Sequence, residues 1–197
     1  KIQDGSTLCT IGMTLVSASE SILKAIEKRF ERVGHPADIT LVHSCGQSDR
    51  KDGIQHLAHE GLVKRIVGSH WGLQPRWMEM IANSQVEAYC LPQGQIAQLY
   101  RSMACGLPGK MSKVGLGTFI DPRVEGGKMN DRTKPLPDIV DILEYGGEEY
   151  MFYKEIPLDT VLIRGTVCDE MGNLTTTEEA MKLEVLPAVL AAKRYGG

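Results

Sequence analysis

Apolar residues in this chain come in short unbroken runs, and most runs are followed by a stretch whose apolar positions recur every three or four residues. Thr7–Ile11 reads as a buried strand that stops at Gly12. A helix then begins near Ser19 or Ser21, each an acceptable N-cap. Ile22, Leu23, Ala25, Ile26 and Phe30 line its apolar face, with Lys24, Glu27, Lys28 and Glu31 opposite. Gly34-His35-Pro36 ends it, and Ile39–His43 supplies a second strand. The rhythm repeats with a strand at Arg65–Ser69, a helix opened by Pro75 containing Trp77, Met78 and Ile81, and a strand at Val86–Leu91. Gly94 leads a further helix through Ile96, Ala97, Leu99, Tyr100 and Met103, and Met111–Val114 reads as the fifth strand. Apolar runs without alternation, separated by helices, predict an α/β fold with a mainly parallel sheet flanked by helices on both faces.

The second half is less regular. Asp131–Gly147 reads as a short excursion ending in the turn Gly146-Gly147, and Tyr150–Tyr153 and Thr160–Arg164 as further strands. Asp169–Asn173 forms the turn after the second of these. A last helix runs to about Tyr195, with Pro187 starting or kinking it and Gly196 stopping it. Residues 1–197 are expected to form a single α/β domain.

Ligands of parallel sheets sit at the carboxyl ends of strands. Gly12, Leu91–Gly94 and Gly115–Thr118 all fall at such ends in this reading, so three separated loops are expected to converge on one site. The last belongs to Lys113–Asn130, a long stretch dense in charge and glycine, and such loops inside compact domains tend to be functional. Gly12–Ser19 joins a strand to a helix N-terminus, whose backbone N–H groups favour an anion or a carbonyl oxygen.

Composition narrows the ligand class. The chain has 197 residues, 42% hydrophobic and 24% charged, which excludes disorder, and no apolar run approaches the roughly 20 residues of a spanning helix. A net charge of −3 without long blocks of one sign points away from nucleic acid and membrane surfaces and toward a small molecule. Cys9, Cys45, Cys90, Cys105 and Cys168 are odd in number and lack a CxxC pair, so reduced, mostly buried thiols and a cytoplasmic or mitochondrial-matrix setting are expected. Lys1–Gly5 is no signal peptide, and without an initiating Met the sequence reads as part of a longer chain.

Other chemistries find little support. His56 and His59 stand three apart, with His43 and His70 elsewhere, but no HExxH accompanies them, so hydrogen-bonded histidines rather than metal ligands are expected. Neither a GxSxG elbow nor a GxxxxGK[ST] loop occurs. Trp71 and Trp77 read as core residues.

Four motifs in order, HEGLVKRIVGSHWG (59–72), LPQG (91–94), GLGTFIDPRVEGGKMN (115–130) and EEYMFYK (148–154), resemble the N-terminal, or α, half of a family I coenzyme A transferase of the acetate, propionate or 3-ketoacid type. The resemblance covers nearly all of the chain. It implies transfer of coenzyme A between a short-chain acyl-CoA and a carboxylic acid through a glutamyl thioester, with coenzyme A as substrate and no permanently bound cofactor. Covalent catalysis of this kind replaces one hard exchange by two easier ones. The resemblance implies that Gln93 supports catalysis through its amide. It also implies that Gly12, Met13, Gln93, Gly94, Gly115 and Gly117 line the substrate site. In the family the loop after the first strand is richer in glycine; here Leu15, Ser17 and Ala18 replace the later glycines.

The nucleophilic glutamate of the family lies in its second half, flanked by glycines, and this chain has no such motif. Glu125, Glu148 and Glu149 do not match it. The expected partners are therefore a C-terminal, or β, half in the same or a separate chain, acyl-CoA and small carboxylic acids, within a homo-oligomer. A non-catalytic sugar-phosphate or small-molecule binding domain of the same fold is the alternative.

Overall fold

The structure, a computed structural model, describes residues 2–196. Lys1 and Gly197 lie outside the described residues. In chain order the elements are β1 (Thr7–Thr10), α1 (Glu20–Val33), β2 (Ile39–Val42), a 3-10 turn (Gly53–Leu57), β3 (Val63–Gly68), α2 (Pro75–Ala82), β4 (Glu87–Cys90) and α3 (Gln93–Ala104). There follow β5 (Gly109–Ser112), β6 (Val140–Tyr145), β7 (Glu148–Lys154), β8 (Thr160–Leu162), β9 (Val167–Cys168), β10 (Leu174–Thr175) and α4 (Val185–Arg194). No helix among the described residues is long and apolar enough to cross a membrane.

Five strands form a parallel sheet in the order β4-β3-β2-β1-β8. Successive side chains leave a strand on opposite faces. Leu8, Leu41, Ile66, Ala88 and Leu162 enter one core, filled by Leu23 and Ile26 of α1, Ile54 and Leu57 of the 3-10 turn, and Trp77, Met80 and Ile81 of α2. Their neighbours Cys9, Val42, Val67, Tyr89 and Val161 enter the other, against Ile96, Leu99, Tyr100 and Met103 of α3 and Ala188, Ala191 and Ala192 of α4. Both faces are covered, which is why these strands carry unbroken apolar runs.

Two expectations are corrected. Met111–Val114 is not the fifth parallel strand: β5 ends at Ser112 and pairs antiparallel with β7, and β8 takes the fifth parallel place beside β1. Lys110, Ser112 and Lys113 interrupt the apolar run, and a strand buried on both faces cannot hold them. The stretch 131–147 is not a bare excursion either, because β6 and β7 form a hairpin closed by Gly146 and Gly147, with φ of 64° and 77°. Both central residues of a tight type I′ turn need positive φ, which glycine supplies at least cost. The resulting order β5-β7-β6 gives a second sheet, whose Val140, Met151 and Tyr153 join the α3–α4 core.

The edge of β4 is closed by the long loop rather than by a strand. Cys90 N donates to Gly127 O at 2.7 Å and Met129 N to Ala88 O at 2.9 Å. Buried Asn130 locks this arrangement: its Nδ2 donates to Ile81 O (3.0 Å) and Val86 O (2.9 Å), and its Oδ1 accepts from Thr133 N and Thr133 Oγ1. Thr133 Oγ1 in turn accepts from Ala88 N at 2.7 Å. Asn130→Ala strips partners from four groups at once and is expected to cost about 3 kcal/mol, read as a lower denaturant midpoint at unchanged slope. A loss below about 1 kcal/mol would show that other contacts hold the loop.

Candidate functional site at the carboxyl edge of the parallel sheet

The loop after β1 turns back tightly, with Met13 N donating to Val16 O (3.0 Å) and Val16 N to Met13 O (2.9 Å). A Cβ on Gly12 would lie 3.2 Å from the backbone of Ala18 and 3.2 Å from Gln47 Cγ, so only glycine lets these segments meet without adjustment. Thr14 N donates to Gly46 O at 2.9 Å, and Gln47 Nε2 to Thr10 O at 2.8 Å, which ties this loop to the one after β2. Thr14 and Ser17 hold φ of 52° and 59°, a left-handed conformation that is uncommon outside glycine. Ser17, one of the residues standing where the resembled family has more glycine, thus keeps a glycine-like backbone. Its Oγ donates to Met181 O at 2.9 Å and anchors the strained residue.

Gly12 follows β1 and Gln93 follows β4, with β2 and β3 between them. Strand spacing puts the two about 14 Å apart along the sheet. The gap is filled by residues that sequence reasoning missed: the loops after β2 and β3 bring in His43, Gly46, Gln47, His70, Trp71 and Gln74. A Cβ on Gly46 would stand 2.5 Å from Gln74 Nε2 and 2.9 Å from His70 Nε2, and one on Gly68 would strike the His43 ring. Along this edge Thr10 Oγ1, His43 Nε2, Gln47 Oε1, Trp71 Nε1 and both amide atoms of Gln74 are buried without a hydrogen-bond partner in the protein. An unpaired buried polar group costs about 1–3 kcal/mol, and such groups rarely gather by chance.

The edge is nearly free of fixed charge. His43 is fully buried, and burial holds its pKa down at about 4 even though Nδ1 bonds to Cys45 O at 2.9 Å. The ring is therefore neutral near pH 7, with the proton on Nδ1 and a lone pair on Nε2. Burial likewise raises the Cys45 thiol, with the Glu184 carboxylate adding to the effect. Two carboxylates reach the edge from the segment before α4: Glu184 accepts from Ser44 Oγ at 3.0 Å, and Glu179 meets Arg164 at 3.2 Å.

Gln93 is the first residue of α3, exposed, and Gly94 beside it has nothing within 4 Å of a Cβ. Gly115 and Gly117 do not sit at a parallel-strand end, since the preceding β5 belongs to the second sheet; the expected convergence of three strand-end loops is corrected to two. The far end of this loop nevertheless reaches the LPQG turn, since a Cβ on Gly127 would lie 3.6 Å from Leu91 Cδ2. Buried Asp121 organises it, accepting from Gly117 N at 2.9 Å and pairing with Arg123 at 2.8 Å. The Arg123 guanidinium holds its carboxyl well below the usual range.

His56 and His59 are hydrogen-bonded histidines as expected, though only His56 lies in the 3-10 turn, and their carboxylate partners arrive from α1. Trp77 and Trp71 are buried. All five cysteines are free, but only Cys9 and Cys45 are buried; Cys105 and Cys168 are exposed, against the expectation of mostly buried thiols.

A doubly covered parallel sheet whose carboxyl edge gathers glycine turns and unpaired neutral polar atoms places the chain in the α/β class, whose ligands sit at the carboxyl ends of strands. The sequence model described as "Coenzyme A transferase" matches residues 1–194, and the chain belongs to that family. It is 42% identical over 197 residues to a caffeate CoA-transferase of Acetobacterium woodii, covering all of this chain and 37% of that protein. It is 37% identical over 198 residues to the acetate CoA-transferase YdiF of Escherichia coli (strain K12), again covering 37% of the relative. Among solved structures, an acyl-CoA transferase (YdiF) from E. coli O157:H7, as a thioester complex with CoA, superimposes with a TM-score of 0.95 at 35% identity. That match covers 100% of this chain and 38% of the other. Glutaconate coenzyme A-transferase from Acidaminococcus fermentans shares the fold at TM-score 0.74 and 16% identity, over 98% of this chain and 61% of the other. The chain thus spans little more than a third of the length of the first two relatives.

The two loop glycines now separate physically. Gly115 has φ of 101°, and a Cβ there would lie 2.6 Å from the Tyr153 hydroxyl, which donates to Val114 O at 2.6 Å. Gly117 has φ of 69° and open space around it. Gly117→Ala is expected to cost about 1 kcal/mol from φ alone, and Gly115→Ala at least twice that, because the Tyr153 bond must also shift. Melting curves of the two variants check this order; equal losses would mean that Tyr153 moves aside freely.

Proposed function

We propose that this chain forms the acyl-side wall of a transferase that moves coenzyme A between an acyl-CoA and a carboxylic acid, with the attacking glutamate supplied from outside these 197 residues. The observation that carries the reading is the row of unpaired neutral polar atoms between Gly12 and Gln93. A carboxylate attacking a thioester develops an oxyanion, which needs donors already aimed at it in a water-poor place. The Gly12–Ser19 loop and the amide of Gln93 are suited to that task, since among the described residues no side chain caps the α1 N-terminus and Gln93 is uncommitted and uncharged. A neutral His43 and a protonated Cys45 add no positive charge that would hold a carboxylate too tightly in its ground state.

Short-chain acids are the proposed substrates, by likeness to the acetate enzyme; the caffeate relative makes an aryl acid the competing arm of the assay. Glutamyl thioester formation would leave CoA on the protein and release the first acid; attack by the second acid and return of the thiolate would complete the exchange. The other proposed partner is the remaining part of the transferase, in the same or a separate polypeptide, with assembly into a homo-oligomer.

Two outcomes test this. The purified 197-residue chain alone should transfer no CoA from acetyl-CoA to propionate, acetoacetate or caffeate; turnover by it would sink the divided-site reading. In the complete enzyme, Gln93→Ala should lower kcat by about 10²-fold with the melting temperature unchanged, whereas a parallel fall in stability and rate would make Gln93 a structural turn residue.

A further inference from the structure

Outside the sheet edge, a dense group of titratable side chains sits where α1, the 3-10 turn and α2 meet. The His56 ring is wedged between two carboxylates of α1: Nδ1 bonds to Glu27 and Nε2 to Glu20 at 2.9 Å, with Asp52 3.4 Å from Nε2. Its side chain is only 12% exposed and that of Glu27 16%. Lys24 bridges Glu20 (2.9 Å) and Asp52 (3.2 Å), while His59 (2.9 Å) and Arg76 of α2 (3.3 Å) share the other oxygen of Glu27. Glu31 lies within reach of Glu27 and His59. A metal ion is not what this cluster is shaped for, because Lys24 and Arg76 already supply the cations.

Both ring nitrogens facing carboxylates is a statement about protonation. A neutral imidazole donates from one nitrogen only, and the other would turn a lone pair toward a carboxylate. The arrangement is complete only as the imidazolium. Burial opposes that charge, but the bonds to Glu27 and Glu20 outweigh it and raise the pKa above the usual histidine value. Glu27 is shifted the other way: burial would raise it, and the bonds from His59, His56 and Arg76 prevail and lower it.

The cluster is coupled to the sheet edge through backbone. Glu20 Oε2 accepts from Gly53 N at 2.8 Å. Gly53 packs so closely on Gln47 O that a Cβ would collide with it, and Ile54 N donates to Gln47 O at 2.8 Å. Gln47 is the residue whose side chain reaches Thr10 O and lies against Gly12. On its far side the 3-10 turn is held by Trp77 Nε1 donating to Ile54 O at 2.9 Å and by Arg76 N donating to Gln55 Oε1 at 3.0 Å.

We propose that protonated His56 is a positioning residue, an imidazolium clamp that pins the 3-10 turn to α1 and thereby holds the Gln47 loop against Gly12 at the substrate edge. The positioning half of this rests on the transferase reading; the clamp itself does not. A group whose pKa is raised on folding stabilises fully below its ordinary value and loses that stabilisation as pH rises through the folded value. The clamp therefore loosens on the alkaline side, by about tenfold in the opening equilibrium for each unit of elevation. Glu27, shifted down, would loosen it only on the acid side.

The test is hydrogen exchange of the complete enzyme between pH 6 and 9, corrected for intrinsic rates, comparing peptides over 43–57 with β3 as an internal standard, alongside the pH profile of kcat/KM. The expected result is a loss of protection in 43–57 as pH rises, matched by an alkaline fall in kcat/KM, both absent in His56→Gln, which stays loose at every pH. Protection in 43–57 that does not change with pH in the wild type overturns the clamp, even if the His56 variant fails to fold. Opening without any change in kcat/KM overturns the positioning role. Absence of CoA transfer at every pH would instead count against the transferase reading and leave the exchange result to judge the clamp.

Discussion

The exposed backbone of β4 is the constraint on which much of this structure depends. As the end strand of a parallel sheet it presents unpaired N–H and C=O groups, which attract other chains unless covered. Here the chain covers them with itself, through Gly127, Met129 and Thr133 rather than with a sixth strand. A Cβ on Gly127 would lie 2.5 Å from Cys90 O, so the cover closes only because residue 127 is glycine. Once Gly127 to Thr133 are fixed there, the preceding loop is delivered beside the LPQG turn, and the following chain leads into the β6–β7 hairpin.

The same economy governs the carboxyl edge. Strands β1 to β4 end within one residue or two of small or neutral polar groups, and their loops are tied by backbone bonds from Thr14 N to Gly46 O and from Leu91 N to Gly68 O at 2.9 Å, with the Gln47 side-chain amide donating to Thr10 O. What is left over is His43 Nε2, Gln47 Oε1, Trp71 Nε1 and both amide atoms of Gln74, buried without a partner in the protein. Stability is sacrificed there, at about 1–3 kcal/mol per unpaired group, and recovered in two cores of buried aliphatic and aromatic side chains on the faces.

The parallel sheet was legible because each of its first four strands is buried on both sides, which writes an unbroken apolar run into the sequence. The second sheet was not, because its strands bury only one face. Val140, Ile142 and Met151, Tyr153 alternate with Asp141, Phe152 and Lys154, and the acidic spacing of Asp138, Asp141 and Glu144 masked the period of two. For the candidate site, glycines and a known motif pointed to its two proposed ends, Gly12 and Gln93. His43, Gln47 and Gln74 carry no local signal at all: they become a group only when strand order places β2 and β3 between β1 and β4. Strand order is a long-range property that no window of sequence contains. The His56 cluster was hidden for the same reason, its carboxylates lying 29 and 36 residues away.

Charge distribution bears on why the proposed reaction takes its nucleophile from outside this edge. An edge that offers amide N–H groups, a neutral imidazole and uncharged amides can accept a developing oxyanion, but it has no strong nucleophile of its own. Among the described residues the carboxylates nearest the edge are already engaged, Glu184 with Ser44 and Glu179 with Arg164. A further ionised glutamate at this edge, beside Glu184, would repel the incoming acid, and burial would raise its pKa and leave less of it in the attacking carboxylate form. In the proposed reaction, placing the nucleophile on a separate surface adds no further negative charge to the wall until the two faces close. The reacting carboxylate then meets the thioester against donors that carry no charge to trap it.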